Sequence, residues 1–173
     1  MKRSLLSLLR SPLDSSLLEL EATELRDEEV VSGWMNDSCG NKSPIVDGVP
    51  LFAEAQGDDE TFAFKWRLIG DSYGHADESH KRRQDWYLQR FGFGTRDRLI
   101  EFLGPKRLAL DAGTGTGVDT AMFAESEATV VAIDINRDAA LSAYGHLGHL
   151  PNVNILQTDL RRLPFPDGAF DYI

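Results

Sequence analysis

The stretch LALDAGTGTGVDT, residues 108–120, decides the fold of this chain. It is an apolar run that ends in an acid and then alternates glycine with threonine. Such a pattern is typical of a buried strand that leaves its sheet through a tight loop, where glycine lets the backbone pass close to a neighbour. The question is what lies against Gly113, Gly115 and Gly117.

From Arg107 onward the chain alternates apolar strands with helices. Strands are predicted in RLALDA (107–112), TVVAID (129–134) and VNILQT (153–158), and a fourth begins within PDGAFDYI (166–173). Helices are predicted in GVDTAMFAES (117–126) and in NRDAALSAYGHLG (136–148), with Asn136 as the cap of the second. Near-continuous apolar strands between helices indicate a parallel sheet that is covered on both faces. Ligands of such sheets bind beyond the carboxyl ends of the strands, where the glycines and acids fall.

Two other regions precede this alternation. Residues 1–56 are short apolar pieces broken by Ser, Asp, Asn, Gly and Pro, which indicates small strands and turns. Residues 57–105 become aromatic and then helical. HKRRQDWYLQRF (80–91) presents Trp86, Leu88 and Phe91 as an apolar side, and its basic run is interpreted as a solvated face. TRDRLIEFLGP (95–105) has Thr95 as a candidate N-cap and a Gly-Pro stop. Residues 106–173 form the third unit.

Composition narrows the class of protein. A chain of 173 residues with 42% hydrophobic content can bury a core, and its length indicates one domain with an appendage. A formal net charge of -10 argues against sequence-independent binding of bulk nucleic acid, which needs clustered Lys and Arg. The lone Cys39 excludes an intrachain disulfide framework and favours a cytoplasmic location. Apolar runs are too short to predict a membrane span.

The glycine spacing does not fit the common nucleotide loops. A dinucleotide fingerprint needs a third small residue, and Val118 or Thr120 stands at that position. This disfavours a nicotinamide-dependent oxidoreductase, and a Walker-type loop is excluded because no Gly-Lys-Ser/Thr follows. Asp134 ends the second strand at a spacing suited to a ribose diol. We therefore expect a ligand that has a ribose but no pyrophosphate.

Three stretches in the carboxyl-terminal part of the sequence resemble the motifs of a known family. LALDAGTGTG, VVAIDIN and NVNILQTDLRRLPFPDGAFDYI resemble, in this order, the first four motifs of the class I S-adenosylmethionine-dependent methyltransferases, nearest to the ubiquinone and menaquinone biosynthesis branch. The resemblance covers roughly the last 70 residues. It implies an α/β fold, Rossmann-like and doubly wound, with the amino-terminal half of a mostly parallel sheet behind a small β-rich appendage. It also implies S-adenosyl-L-methionine as the cofactor.

By this resemblance, the glycine loop lies under the methionine part of the cofactor. The backbone of Gly113, Thr114, Gly115 and Gly117 would pass beneath it, and Asp111 would help to order the amino group. The alternative for the glycines is a tight turn without a ligand. Carboxylates suit a cationic sulfonium, whereas they would repel a phosphate.

The resemblance assigns the nucleoside part to two later motifs. Asp134 would accept hydrogen bonds from both ribose hydroxyls, and Ile135 would pack on adenine. Asp159 would take the adenine amino group, with Leu160 beside it. The alternative for both acids is a helix cap or a turn.

A second resemblance concerns the amino-terminal region. LLRSPLDSSLLEL and SCGNKSPIVDGVPLF resemble the small zinc-ribbon domain that is fused to such methyltransferases or acts as their separate partner. Aligned on PIVDGVP, the four metal positions are Ser11, Asp14, Asn36 and Cys39. A structural zinc site needs mostly thiolates, so we expect a degenerate ribbon without metal. The residues expected to pack in it are Leu8, Leu13, Leu18, Ile45, Val49 and Phe52. An unrelated, turn-rich tail is the alternative.

The acceptor side is the least defined. TFAFKWRLIGDSYG (61–74) resembles the aromatic lead-in that caps the pocket, so Trp66 and Tyr73 are candidate substrate contacts, with ordinary core packing as the alternative. No catalytic base can be assigned. His146 and His149 fall at the end of the second helix, where a charged imidazole favours the helix dipole, and no metal site is predicted.

The carboxyl end completes the interpretation. The chain stops at Ile173 inside the fourth strand, so we expect a fragment of a longer enzyme or a truncated relative. The leading hypothesis is methyl transfer to a small-molecule acceptor, and the alternative is a non-catalytic cofactor-binding or partner-binding module. An unpaired apolar sheet edge predicts self-association and a catalytically silent chain.

Overall fold

Two β-sheets organise the protein, one antiparallel and one parallel. The computed structural model describes residues 1–53 and 77–173. Trp66 and Tyr73, the predicted substrate contacts, lie outside the described residues. The α/β architecture with a small β-rich amino-terminal unit, predicted from the sequence, is confirmed.

The amino-terminal unit is an antiparallel sheet preceded by a short 3-10 helix, Arg3–Leu8. Its strands follow one another in the order of the sequence: β1 (Glu19–Arg26), β2 (Glu29–Asn36), β3 (Lys42–Val46) and β4 (Val49–Pro50). Strand β1 is the exposed edge, and its pairing with β2 is interrupted between Ala22 and Leu25. Such an irregularity, together with the glutamates of β1, discourages edge-to-edge pairing with another chain.

The parallel sheet follows the predicted alternation to within a residue or two. Its strands are β5 (Leu108–Ala112), β6 (Thr129–Asp134) and β7 (Val153–Gln157), in that spatial order. The connecting helices are α3 (Val118–Phe123) and α4 (Arg137–Leu147). The predicted fourth strand begins on the other side of β5, where Tyr172 forms a parallel bridge with Ala109.

Two helices precede the parallel sheet: α1 (Asp77–Arg90) and α2 (Arg96–Leu103). The hydroxyl of Thr95 accepts a hydrogen bond from the N–H of Arg98, which confirms the predicted N-cap. The predicted apolar side is wrong for Trp86 and Phe91, which are 60% and 56% exposed, while Leu88 is buried. Residues two apart lie on nearly opposite sides of a helix, so Trp86 and Leu88 cannot share one face.

The parallel sheet is covered on both faces, but by different structures. Alternate residues of each strand point to opposite faces. Val130 and Ala132 pack in a cluster with residues of the helices α1 to α4. Val131 and Ile133 pack in a second cluster with residues of the amino-terminal unit, whose members include Leu5, Leu9, Val30, Met35 and Ile45. The amino-terminal unit therefore shares a core with the parallel sheet.

Most residues expected to pack in the amino-terminal unit do so. Leu18 and Ile45 are buried in the second cluster, and Leu8 and Phe52 are partly buried against it. Val49 is also buried, in the cluster that the helices share. Leu13 is the exception at 59% exposure, so this prediction was wrong. Its N–H donates to the Ser11 hydroxyl, and this local turn directs Leu13 away from the core.

The amino-terminal unit contacts the parallel sheet at the end of β7. Leu51 forms a parallel bridge with Gln157, and the N–H of Phe52 donates to the carbonyl of Gln157 at 2.9 Å. The Lys2 ammonium donates to the carbonyls of Gly148 and Val153 at 2.8 and 2.7 Å. No helix in residues 1–53 and 77–173 is long and apolar enough to cross a bilayer.

Candidate functional site

The glycine loop crosses the carboxyl ends of β5 and β6. Gly113, Gly115 and Gly117 have φ values of 92°, 57° and 93°, in the left-handed region that favours glycine. The N–H groups of Gly113 and Thr114 both donate to the carbonyl of Ile133 at 2.9 Å. These two bonds fix the start of the loop over the end of β6.

The first and third glycines have different surroundings. A Cβ added at Gly113 would meet no atom within 4 Å among residues 1–53 and 77–173, so the backbone there faces space that these residues leave open. A Cβ added at Gly117 would lie 2.6 Å from Cδ1 of Leu147 in α4. The third glycine therefore serves helix packing, and the first leaves room for a ligand.

Asp134 ties the loop to the turn that follows β6. Its Oδ2 accepts a hydrogen bond from the N–H of Gly115 at 2.9 Å, and its Oδ1 accepts one from the N–H of Asn136 at 2.8 Å. Asn136 in turn caps α4 by accepting from the N–H of Ala139 at 3.0 Å, as predicted. An ionised carboxylate offers about four acceptor positions, so Asp134 retains about two for a ligand.

Asp111 lies under the loop. The hydroxyl of Thr120 donates to its Oδ2 at 2.5 Å, and the hydroxyls of Thr114 and Thr120 are joined at 2.5 Å. Burial raises the pKa of Asp111 above its ordinary value, and the hydroxyl of Thr120 acts in the opposite direction. Because Asp111 shares Thr120 with Thr114, its position is linked to that of the loop.

Asp159 is held by its own turn. Its carboxylate accepts from the N–H of Arg161 at 2.9 Å and forms an ion pair with Arg161 Nη2 at 2.6 Å. The hydrogen bond from the Arg161 side chain lowers the pKa of Asp159 to about 2. Ile135 and Leu160, the apolar residues predicted beside adenine, are 42% and 54% exposed. Ile135 and Asp159 line one cavity.

The sequence interpretation missed an ion pair between α1 and α3. The Arg83 guanidinium donates to Asp119 Oδ2 at 3.1 and 2.7 Å, and the Gln84 side chain donates to the carbonyl of Val118 at 3.0 Å. The hydrogen bonds with Asp119 raise the pKa of Arg83. The basic run is therefore only partly a solvated face. The only signal in the sequence was an acid two residues after the last glycine.

The positions aligned with zinc ligands form a hydrogen-bonded cluster. The hydroxyl of Ser11 donates to Asp37 Oδ2 at 3.2 Å, and the thiol of Cys39 donates to Asp14 Oδ2 at 3.4 Å. The Asn36 amide instead reaches Glu21, at 3.5 Å. Three of the four aligned positions thus participate in contacts between the same two loops.

The acceptor positions of Asp37 are filled by donors from its own loop and by Ser11 of the other loop. Besides Ser11, Asp37 accepts from the N–H groups of Cys39 and Asn41 at 3.0 and 2.8 Å and from the Asn41 amide at 2.9 Å. Hydrogen bonding from Asn41 lowers the pKa of Asp37. Within the described residues, no three His, Cys, Asp or Glu side chains are grouped so that they could hold a metal ion.

The histidine at the end of α4 is less easily charged than its place on the helix dipole predicts. Burial is the main cause that lowers the pKa of His146, and the charge of His80 lowers it further. The expectation of a charged imidazole at this helix end is therefore not supported for His146.

Comparison with known families adds one match. A family model described as a methyltransferase domain matches residues 109–173. A comparison with curated proteins gives no match. The matched residues include the whole glycine loop, Asp134 and Asp159. Together with the parallel sheet and its glycine loop, the match supports a class I methyltransferase domain in this part of the chain.

Proposed function

We propose that this chain binds S-adenosyl-L-methionine and serves in methyl transfer to a small-molecule acceptor. The observation that carries the proposal is that Asp134 is bonded to the glycine loop and keeps free acceptor positions. Asp134 is fixed by two backbone N–H groups and keeps acceptor capacity, while Gly113 on the same loop faces open space. A ribose diol donates two hydrogen bonds, which matches that remaining capacity.

The charges near the loop favour a cationic ligand. Asp111 and Asp134 both lie at the carboxyl ends of neighbouring strands, and the only guanidinium described at this loop, Arg83, is paired with Asp119. A sulfonium with an ammonium group gains from such carboxylates, whereas a pyrophosphate would be repelled. This favours a sulfonium cofactor over a dinucleotide.

Each part of the chain would contribute a different function to catalysis. The bound cofactor supplies a methyl group that is already activated by its sulfonium. The Gly113–Gly117 backbone and Asp111 would hold the methionine part, and Asp134 would fix the ribose. The residues described here would thus mainly align the reacting carbon and exclude water.

The adenine side requires one rearrangement. Asp159 would accept the adenine amino group only after exchanging at least part of its pairing with Arg161. Arg161 is exposed, with 75% of its side chain accessible, so its guanidinium can turn into solvent. We therefore place Asp159 second to Asp134 among the cofactor contacts.

The test is binding of S-adenosylhomocysteine, measured by calorimetry. Asp134→Ala should weaken binding by about 1.5–3 kcal/mol, roughly 10- to 150-fold, because charge-assisted hydrogen bonds to the ribose are lost. Asp167→Ala, which removes an exposed acid outside the site, should leave binding unchanged. NAD should not compete. Tight NAD binding without any response to S-adenosylhomocysteine would reject the proposal.

For the amino-terminal unit, we infer descent from a zinc ribbon that has lost its metal. What supports this is the contact between the two loops that carry Ser11, Asp14 and Cys39. The Asp37 carboxylate now joins these loops with protein hydrogen bonds. The alternative, an unrelated tail, gives no reason for these positions to meet.

A further inference from the structure

The cavity that Ile135 and Asp159 line extends between the two sheets. It has a volume of about 1000 Å³ and separates the amino-terminal sheet from the carboxyl ends of β6 and β7. It borders the proposed adenine side through Ile135 and Asp159, but neither the glycine loop nor Asp134 lines it. It is thus a space distinct from the one that would hold the sulfonium.

The charge of this cavity is opposite to that of the chain. Although the chain has a formal net charge of -10, the described lining contains four cations and two acids. Asp159 is paired with Arg161, and the acceptor positions of Asp37 are filled by protein donors. Lys42 is paired with Glu21, outside the cavity. Arg137 and Arg162 remain, and neither guanidinium forms a hydrogen bond or an ion pair with the residues that the structure describes, although the charge of Arg162 also lowers the pKa of Asp159.

Both of these arginines stand on fixed backbone. The N–H of Arg162 donates to the carbonyl of Asp159 at 2.9 Å, and its own carbonyl accepts from the Thr158 hydroxyl at 3.2 Å. Arg137 is the first residue of α4, directly after its N-cap. The positive end of the helix dipole disfavours a cation at this position. An anion bound to Arg137 would be attracted by the guanidinium and by the helix dipole together.

Part of the remaining wall is apolar, beside the uncharged polar residues Ser11, Asn41, Ser43, Gln157 and Thr158. Leu18, Met35, Leu51 and Phe52 line the cavity on the side of the amino-terminal unit, and Ile135 lines it on the other. Guanidinium groups bind carboxylates and phosphates through paired N–H donors. We propose that Arg137 and Arg162 form a binding site for a small organic oxyanion, a phosphate or carboxylate that carries an apolar body.

The site is tested with phenyl phosphate and the full 173-residue chain. Calorimetry should detect binding, and the amide NMR signals of Ile135, Thr158 and Arg162 should shift on titration. Inorganic phosphate and benzyl alcohol, which each carry only half of the chemistry, should bind at least tenfold more weakly. If inorganic phosphate binds as tightly as phenyl phosphate, the apolar part of the proposal is wrong. A comparison of the affinities of benzoate and phenyl phosphate shows whether the site prefers a carboxylate or a phosphate.

Charge-matched variants locate the site. Arg137→Gln and Arg162→Gln should each weaken phenyl phosphate binding about tenfold. Arg98→Gln, which removes an exposed arginine of α2, should have no effect. Unchanged binding in the first two variants, or equal weakening in the third, would show a diffuse surface effect and overturn the site. S-adenosylhomocysteine binding, measured in parallel, reports separately on the proposed function.

Discussion

Asp134 and Asp37 stand at comparable places in the two halves of the molecule. Each comes at the end of a strand, and each carboxylate accepts two backbone N–H groups. Asp37 also accepts two side-chain donors, from Ser11 and Asn41, which fills about four acceptor positions. Asp134 accepts no further donor among the described residues. The Asp37 carboxylate, with all of its acceptor positions occupied by protein donors, is called the Asp37 clamp below. The Asp134 carboxylate keeps free acceptor positions.

The two acids differ in the number of hydrogen-bond donors that surround them. In the amino-terminal unit, protein donors surround the acid that lies between the two loops. In the parallel sheet, the glycine opposite the acid carries no side chain that could fill the space. The number of local donors, rather than the acid itself, separates a structural site from a binding site.

The largest expected effect comes from restoring thiolates in the amino-terminal loops. The triple variant combines Ser11→Cys, Asp14→Cys and Asn36→Cys. Together with the existing Cys39, it has four cysteines at the aligned positions. The triple variant should bind one zinc per chain, since structural zinc sites contribute on the order of 10 kcal/mol. Elemental analysis measures the metal.

Two controls make this result specific. Ser11→Cys alone supplies too few thiolates and should bind no stoichiometric zinc. The unmodified chain should also contain none, and chelators should leave its folding unchanged. Stoichiometric zinc in the unmodified chain, or none in the triple variant, would refute the degenerate-ribbon inference.

A smaller effect separates the two glycines of the loop by stability. Gly117→Ala should destabilise the fold by roughly 2–4 kcal/mol, because a left-handed backbone and a clash with Leu147 act together. Gly113→Ala has a similar φ but no clash, so about 1–2 kcal/mol is expected. Urea unfolding measures both. Equal losses would mean that Leu147 moves aside without cost.

A comparison of Gly40 and Gly113, one in each half of the molecule, distinguishes an effect on stability from an effect on ligand binding. Gly40 resembles Gly113 in having φ near 90° and no atom within 4 Å of an added Cβ. Gly40→Ala and Gly113→Ala should therefore lose similar stability, about 1–2 kcal/mol. Only Gly113→Ala should weaken the binding of S-adenosylhomocysteine, and by at least tenfold. Equal affinity in the two variants would remove the glycine loop from the proposed site.

The sequence predicts the parallel sheet well because the signals are local. β5 to β7 lie where apolar runs are interrupted by glycine, asparagine or proline, and the caps at Thr95 and Asn136 follow from residue type. The place of the fourth strand on the other side of β5 is not predicted, because the crossover rule fixes the hand of a connection and not the sheet edge that the next strand joins. The packing of the amino-terminal unit on one face depends on long-range contacts, which no local pattern carries.

The site is predicted less completely than the fold. The places of Asp111 and Asp134 at strand ends follow from the sequence. The Arg83–Asp119 pair, the Asp37 clamp and the pairing of Asp159 with Arg161 do not, because the choice among polar partners is made by tertiary geometry. Self-association through the sheet edge and the roles of Trp66 and Tyr73 stay predictions.

The smallest expected effect is the pH dependence of the hydrogen bonds to Asp37. The folded-state pKa of Asp37 is lowered by hydrogen bonds led by those from Asn41, and that of Asp14 by hydrogen bonds led by those from Ser16. A lowered folded pKa means that the stabilisation is fully present above the unfolded value, about 3.9, and is lost as pH falls through the folded pKa. The amide NMR signals of Cys39 and Asn41 should therefore titrate with a midpoint below about 3.9. Asp37→Asn should abolish that titration while the Ser16 amide, which donates to Asp14, still titrates. A midpoint at the ordinary value would mean that the Asp37 clamp is not closed in solution, and the contrast with Asp134 would then rest on the glycine loop alone.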